Sequence, residues 1–146
     1  MADKNRLHLQ VITPTGAKID EKVEMVIMRC TTGHMGIMPG HEARVAALDF
    51  GVMRIFGGQA KNERWLAVFG GLAKIQDDTL TILTGEAEWP KDVDFAHAQT
   101  QREHYEQQLQ EHIDDLEIVR DQALLWRTLL RLELSAYPHT DDADDE

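Results

Sequence analysis

The side chains with which this 146-residue chain could do chemistry are seven histidines, one cysteine and 26 carboxylates. Their spacing supports little of it. His34 and His41 make the best metal-ligating pair, but their separation matches no zinc pattern and Cys30 does not complete a set. A cupin-like metal enzyme needs ligands converging from neighbouring strand positions, as in His-x-His, which the sequence lacks. Cys30 lies in an apolar, strand-like run, where a buried inert thiol is the expectation. His97 and His104, one heptad apart on a helical stretch, read as solvated histidines before they read as a pH sensor. Asp92, Asp94 and the acidic run from 111 to 117 fit capping and solvation, not a paired-carboxylate active site. No Gly-Lys-Ser or Gly-Lys-Thr opens a helix, so nucleoside triphosphate hydrolysis within the chain is not expected. The residues predict no enzyme of their own, no metal and no cofactor.

What the chain does carry is the stretch Gly33-His34-Met35-Gly36-Ile37-Met38-Pro39-Gly40-His41. Its glycines and proline turn the backbone sharply, yet Met35, Ile37 and Met38 are too apolar for an ordinary solvated loop. Either these residues fold back onto their own core or they are presented to another subunit. Both readings stand at this point.

The stretch must be positioned by one of two compositionally distinct halves. All ten glycines lie between Gly16 and Gly85 and none follows. The first 85 residues hold ten basic and nine acidic side chains, residues 86 to 136 hold five and twelve, and the last ten hold none and five. The net charge of −11 repels nucleic acid and anionic lipid, so neither is an expected partner. No apolar run is long enough to span a bilayer and no signal region opens the chain, which predicts a cytoplasmic protein that meets a membrane only through a complex.

In the first half Leu7, Leu9 and Val11 alternate with His8, Gln10 and Ile12, the period of a strand with one core face. Val23 to Cys30 reads as a strand covered on both sides. Further strands are predicted at 44–48, 51–56, 64–69, 72–76 and 80–84, with turns at Pro14 to Gly16, Gly57-Gly58, Gly70-Gly71 and Asp77-Asp78. Short strands at this spacing predict a β-sandwich or flattened barrel over residues 1–88.

Pro90 marks a hinge over 89–93, and Asp94 is the expected N-cap of a helix beginning at Phe95. Phe95, Ala98, Tyr105, Leu109, Ile113 and Leu116 form one apolar stripe. The phase persists past Asp114-Asp115, but helix lengths in globular proteins favour a turn near 111 to 115 and an antiparallel hairpin over 94–136. In the second helix Leu124, Leu125, Trp126, Leu129, Leu130, Leu132 and Leu134 spread around most of the circumference. Such a helix buries two sides, either permanently against the first helix and the sandwich or by choosing between two docking surfaces. Residues 137–146, acidic and without core residues, are expected to be disordered.

Leu9 to Gly16, Gly36-Ile37-Met38-Pro39-Gly40-His41, Gly51 to Ile55, Gly70 to Ile75 and the helix start Asp94 to Ala98 come in an order that resembles the epsilon subunit of bacterial rotary ATP synthases, called delta in mitochondria. The resemblance covers residues 6 to about 136. It implies an α+β architecture, a sandwich of about ten strands followed by a two-helix hairpin, in a non-catalytic central-stalk subunit at the cytoplasmic face of the membrane. The implied partners are the gamma subunit, the membrane c ring and the catalytic alpha and beta subunits. His34, Met35, Met38 and His41 are the implied contacts with ring and rotor. Arg120, Leu124, Trp126, Arg127, Leu130 and Arg131 are those of an inhibitory hairpin that can extend into the catalytic head. Glu42-Ala43 stands where the family often has proline, and Phe69 where it has a small or polar residue. ATP-binding members carry an arginine where this chain has His97, between Asp94 and Ala98; a neutral imidazole cannot match a guanidinium fork on phosphate, so weak or no ATP binding is expected. The alternative is a stand-alone small-molecule-binding β-sandwich with a helical dimerisation hairpin, which would self-associate instead of capturing stalk and catalytic subunits.

Overall fold

A computed structural model describes residues 6–58, 63–111 and 114–137. Eight strands form one continuous hydrogen-bonded system: β1 (Leu7–Thr13), β2 (Gly16–Val23), β3 (Met25–Cys30), β4 (Gly33–Ile37), β5 (Arg44–Phe56), β6 (Arg64–Gln76), β7 (Thr79–Leu83) and β8 (Ala87–Glu88). Their order is β2-β1-β7-β6-β5-β3-β4, with β8 added to β6. Only β1 and β7 are parallel among these pairs.

The core lies between the two layers of this sheet system. Leu7, Leu9 and Val11 are wholly buried, as the alternation of β1 requires, and meet Ile82, Leu80, Ile75, Leu66 and Ile55 in one apolar cluster. The two longest strands serve both layers. β5 pairs with β6 from Arg44↔Ile75 to Ile55↔Arg64, and the pairing skips Asp49, which lies opposite Gly70. Gly70 and Gly71 take φ of 78° and 122°, and a Cβ on Gly71 would stand 2.0 Å from the Leu83 carbonyl oxygen. Only glycine lets the strand turn there without colliding with its neighbour.

Here the structure departs from the sequence reading. Among the described residues there are eight strands, a little below the ten the resemblance implied, and 44–48 with 51–56, and 64–69 with 72–76, are continuous strands and not separate ones. Two edge strands were not expected: β2, with Ile19 and Val23 its only buried residues, and β4, two of whose five residues are glycine and which was read as loop.

A 3-10 turn over Pro90–Asp92 leads into α1 (Phe95–Glu111) and α2 (Asp115–Leu134). The Asp94 carboxylate accepts the His97 amide at 3.0 Å, the expected cap, and Asp114 accepts that of Leu116 at 3.1 Å. Ala98 is buried in α1 while Phe95, Tyr105 and Leu109 are half-buried; Leu116, read as continuing their stripe, is 80% exposed instead. Ile113 lies outside the described residues, as does all of the acidic tail except Tyr137, which is stacked on Trp65 at 5.6 Å between ring centroids.

Candidate functional site

The stretch from Gly33 to His41 resolves into two parts. Gly33–Ile37 is β4, paired with β3 so that Met35 lies opposite Met28 and His34 opposite Arg29. Ile37 is buried and Met35 packs against the same core, its Sδ 4.0 Å from the Cys30 thiol. Those two apolar residues therefore serve their own domain, and burial pushes the Cys30 thiol up despite the opposing charge of Arg44. The remainder of the stretch faces outward. Met38 is 57% exposed, His34 is exposed and His41 is half-buried, its Nδ1 2.8 Å from the Glu42 carbonyl oxygen. Gly40 takes φ of 88°, and its amide donates to the Asp78 carboxylate at 2.7 Å, so the β4–β5 loop is tied to the β6–β7 turn.

A larger surface was missed by the sequence reading. Cross-strand neighbours Ala17, Ile12, Leu83, Leu72 and Ala47 lie in one row across β2, β1, β7, β6 and β5. All five are exposed, with Leu72 and Leu83 each at 51%, and Val45 two residues along β5 is at 66%. At roughly 4.8 Å between strands the row is about 19 Å long. Its members sit on the opposite face from the buried alternates, so the signal was there in Ile12 and Leu83 as apolar residues out of phase with the core. Apolar rows of this kind on a sheet face mark contact surfaces.

The second candidate region is where α2 meets the sandwich. Leu130 and Leu134 are buried against Val52, Ala67 and Phe69, with Phe50, Trp65, Val93, Phe95 and Tyr137 around them. Arg131 holds Glu88 through Nε, at 2.9 and 3.1 Å, and through Nη2 at 2.8 Å, and reaches Glu86 at 3.5 Å; Arg127 pairs with Glu86. Both guanidiniums lie over the Phe69 ring, at 4.8 Å for Arg127 and 5.4 Å for Arg131. The hydrogen bond to Glu88 raises the pKa of Arg131; desolvation first, then the charge of Arg131, lowers that of Arg127. Two like charges one helical turn apart are thus held by two carboxylates and an aromatic face. Phe69, a departure from the resembled pattern, is the platform of this clamp.

The other predicted hairpin residues divide by position. Asp121 and Thr128, seven residues apart and hence on one side of α2, are buried on the side away from Leu130 and Leu134, where α1 packs. Leu124 is half-buried, whereas Trp126 is 55% exposed and Val119 64%. With Leu116 and Ala123 these form an uncovered seam at alternating spacings of three and four residues. Arg120 is exposed beside it. His97 is exposed and contributes its amide to the helix cap, while Ala98 is buried. No group of three or more His, Cys, Asp and Glu side chains able to hold a metal occurs among the described residues, and no described helix is long and apolar enough to cross a membrane.

Comparison with known proteins accounts for this combination. Residues 6–90 match the ATP synthase Delta/Epsilon chain beta-sandwich domain. The ATP synthase epsilon chain of Caldicellulosiruptor saccharolyticus is 34% identical over 128 residues, covering 86% of this chain and 90% of that one. That of Bacillus licheniformis is 33% identical, covering 88% and 97%. Among solved structures, a chain of the Euglena gracilis mitochondrial ATP synthase, in an assembly of OSCP, F1 and c-ring, superposes with a TM-score of 0.79 at 21% identity, covering 91% of this chain and 82% of that one. With a sandwich matched from end to end and relatives aligned through the helices, the chain belongs to the ATP synthase epsilon chain family.

Proposed function

We propose that this chain is a non-catalytic central-stalk subunit of a rotary ATP synthase that couples the gamma subunit to the membrane c ring, and that its helical hairpin restrains ATP hydrolysis. The observation that carries the reading beyond family membership is the exposed row of Ile12, Leu83, Leu72 and Ala47 with Val45 beside it. Each large apolar side chain covered on assembly contributes about 1.5 to 3 kcal/mol, so this face is the natural seat for the gamma subunit. Met38, His41 and His34, on the β4–β5 loop and β4, extend the contact toward the ring. The subunit is peripheral, at the cytoplasmic face, and reaches the membrane through its partners.

The hairpin supplies the regulation. Its junction with the sandwich is small and charged, while the seam of Leu116, Val119, Ala123 and Trp126 stays uncovered when the junction is closed. A rival surface formed by gamma and the catalytic alpha and beta subunits, covering that seam and pairing Arg120, Arg127 and Arg131, shifts the population toward an extended hairpin that blocks rotation in the hydrolysis direction. Removing residues from 116 onward is expected to raise ATP hydrolysis by the assembled complex several-fold with assembly intact. Unchanged hydrolysis removes the inhibitory role, and failure of the full chain to co-purify with gamma removes the stalk role.

A further inference from the structure

We infer that Asp78 is the positioning residue of the partner-facing β4–β5 loop: its side-chain oxygen, added to the loop's own turn, holds Met38 and His41 in the conformation in which the rotor is met. The inference rests on the stalk reading above and adds to it a residue outside both the loop and the apolar row.

Between β4 and β5 the chain runs from Met38 to Ala43 without a strand or helix. Within this loop, among the described residues, the His41 amide donates to the Met38 carbonyl at 3.2 Å and His41 Nδ1 lies 2.8 Å from the Glu42 carbonyl oxygen. Both contacts are local and leave a six-residue connection unanchored to the rest of the fold. The anchor comes from 38 residues away, where Asp78 Oδ1 accepts the Gly40 amide at 2.7 Å, a short, charge-assisted bond. Asp78 is itself fixed twice over. It takes φ of 56° beside Asp77 at 53° in the β6–β7 turn, a left-handed geometry that aspartate tolerates better than most residues, and its carbonyl accepts the His8 amide at 2.8 Å. The start of β1, the β6–β7 turn and the β4–β5 loop thus converge on one residue. Met38, 57% exposed in a segment so restrained, has no described core partner to explain its placement. A loop ordered before contact spares the entropy of ordering it on contact.

Three variants separate this role from a structural one. Asp78→Asn keeps an oxygen acceptor and tolerance of the left-handed turn; Asp78→Gly keeps the turn and loses the acceptor; Met38→Ala removes the presented side chain. The full chain is tested against purified gamma subunit and c ring for its dissociation constant, and hydrogen exchange is followed at the Gly40 amide, with thermal unfolding as control. Asp78→Asn is expected to bind within about twofold of wild type. Asp78→Gly is expected to weaken binding about three- to tenfold and to speed Gly40 exchange by at least as much, with Met38→Ala weakening binding while leaving exchange unchanged. Asp78→Gly binding like wild type, or Asp78→Asn failing as badly as Asp78→Gly, overturns the inference. So does a weakened Asp78→Gly whose Gly40 amide keeps its protection. A wild-type chain with no affinity for gamma or ring overturns the stalk reading instead, a result distinguishable because it needs no variant.

Discussion

The described residues form two buried apolar clusters, and they differ in size and in what surrounds them. Between the sheet layers, nineteen buried residues, all apolar or cysteine, close around Leu7, Leu9, Leu66 and Ile82. Between α2 and the outer face of the sandwich, five buried residues are rimmed by two arginines, two glutamates and a ring of half-covered aromatics. The first is held chiefly by area removed from water, which salt screening does not weaken, with the nearly buried Arg64–Glu21 pair beside it and the Arg64 guanidinium over Trp89. The second joins a smaller apolar contact, Leu130 and Leu134 on Val52, Ala67 and Phe69, to ion pairs and a cation–π platform, whose strength follows ionic strength and the presence of rival charges.

That contrast can be broken most forcefully from inside the sandwich. Leu66→Ala, at a fully buried position, is expected to lower the unfolding free energy by about 2 to 5 kcal/mol. Calorimetry should show the loss in the main transition; a loss confined to the hairpin would erase the distinction between the clusters. Next in size, Glu88→Gln leaves the sandwich intact but removes the charge that holds Arg131, and should weaken docking by about 1.5 to 3 kcal/mol. Trp65, stacked on Tyr137 across this junction, reports it: its fluorescence should change with no shift in the sandwich melting temperature, and hydrolysis by the complex should fall as the freed hairpin extends. Smaller again is salt. Raising sodium chloride to 1 M, where the Debye length is about 3 Å, should shift the same Trp65 signal by the equivalent of about 1 kcal/mol or less, since the pairs are partly shielded from solvent. The smallest effect belongs to Cys30. Its folded pKa is raised, so the unfolded thiol ionises first, and stability is fully present below the unfolded value and falls as pH rises through and above it. Stability measured above pH about 9 should decline more steeply in the wild type than in Cys30→Ala.

Much of this was legible in advance. The alternation of Leu7, Leu9 and Val11, the turn residues Asp77-Asp78, the Asp94 cap and the change in composition after Gly85 each act locally, and the structure places them as their neighbours dictate. What escaped was nonlocal. β2 and β4 are edge strands whose partners, not their own sequences, make them strands. The apolar row became visible only once Ala17, Ile12, Leu83, Leu72 and Ala47 were brought into register from five strands. The glycine-rich stretch left both directions open for Met35, which the resemblance implied as a contact; opposite the buried Met28, it packs on its own core. Phe69, noted only as a departure from pattern, acquires its purpose from two arginines some sixty residues later in the chain.

β8 adds one more consequence. Its two residues stitch the strand to β6 and also set Glu88, the main anchor of Arg131, immediately before Trp89, which packs on the inner core. Only residues 89 to 93 separate that anchor from the Asp94 cap, and Pro90–Asp92 is already coiled into a turn. Fully drawn out, five residues reach about 17 Å. In the proposed release the arm therefore pivots on a fixed post instead of wandering, and its return is expected to be a first-order event whose speed does not depend on how many copies of the protein are present.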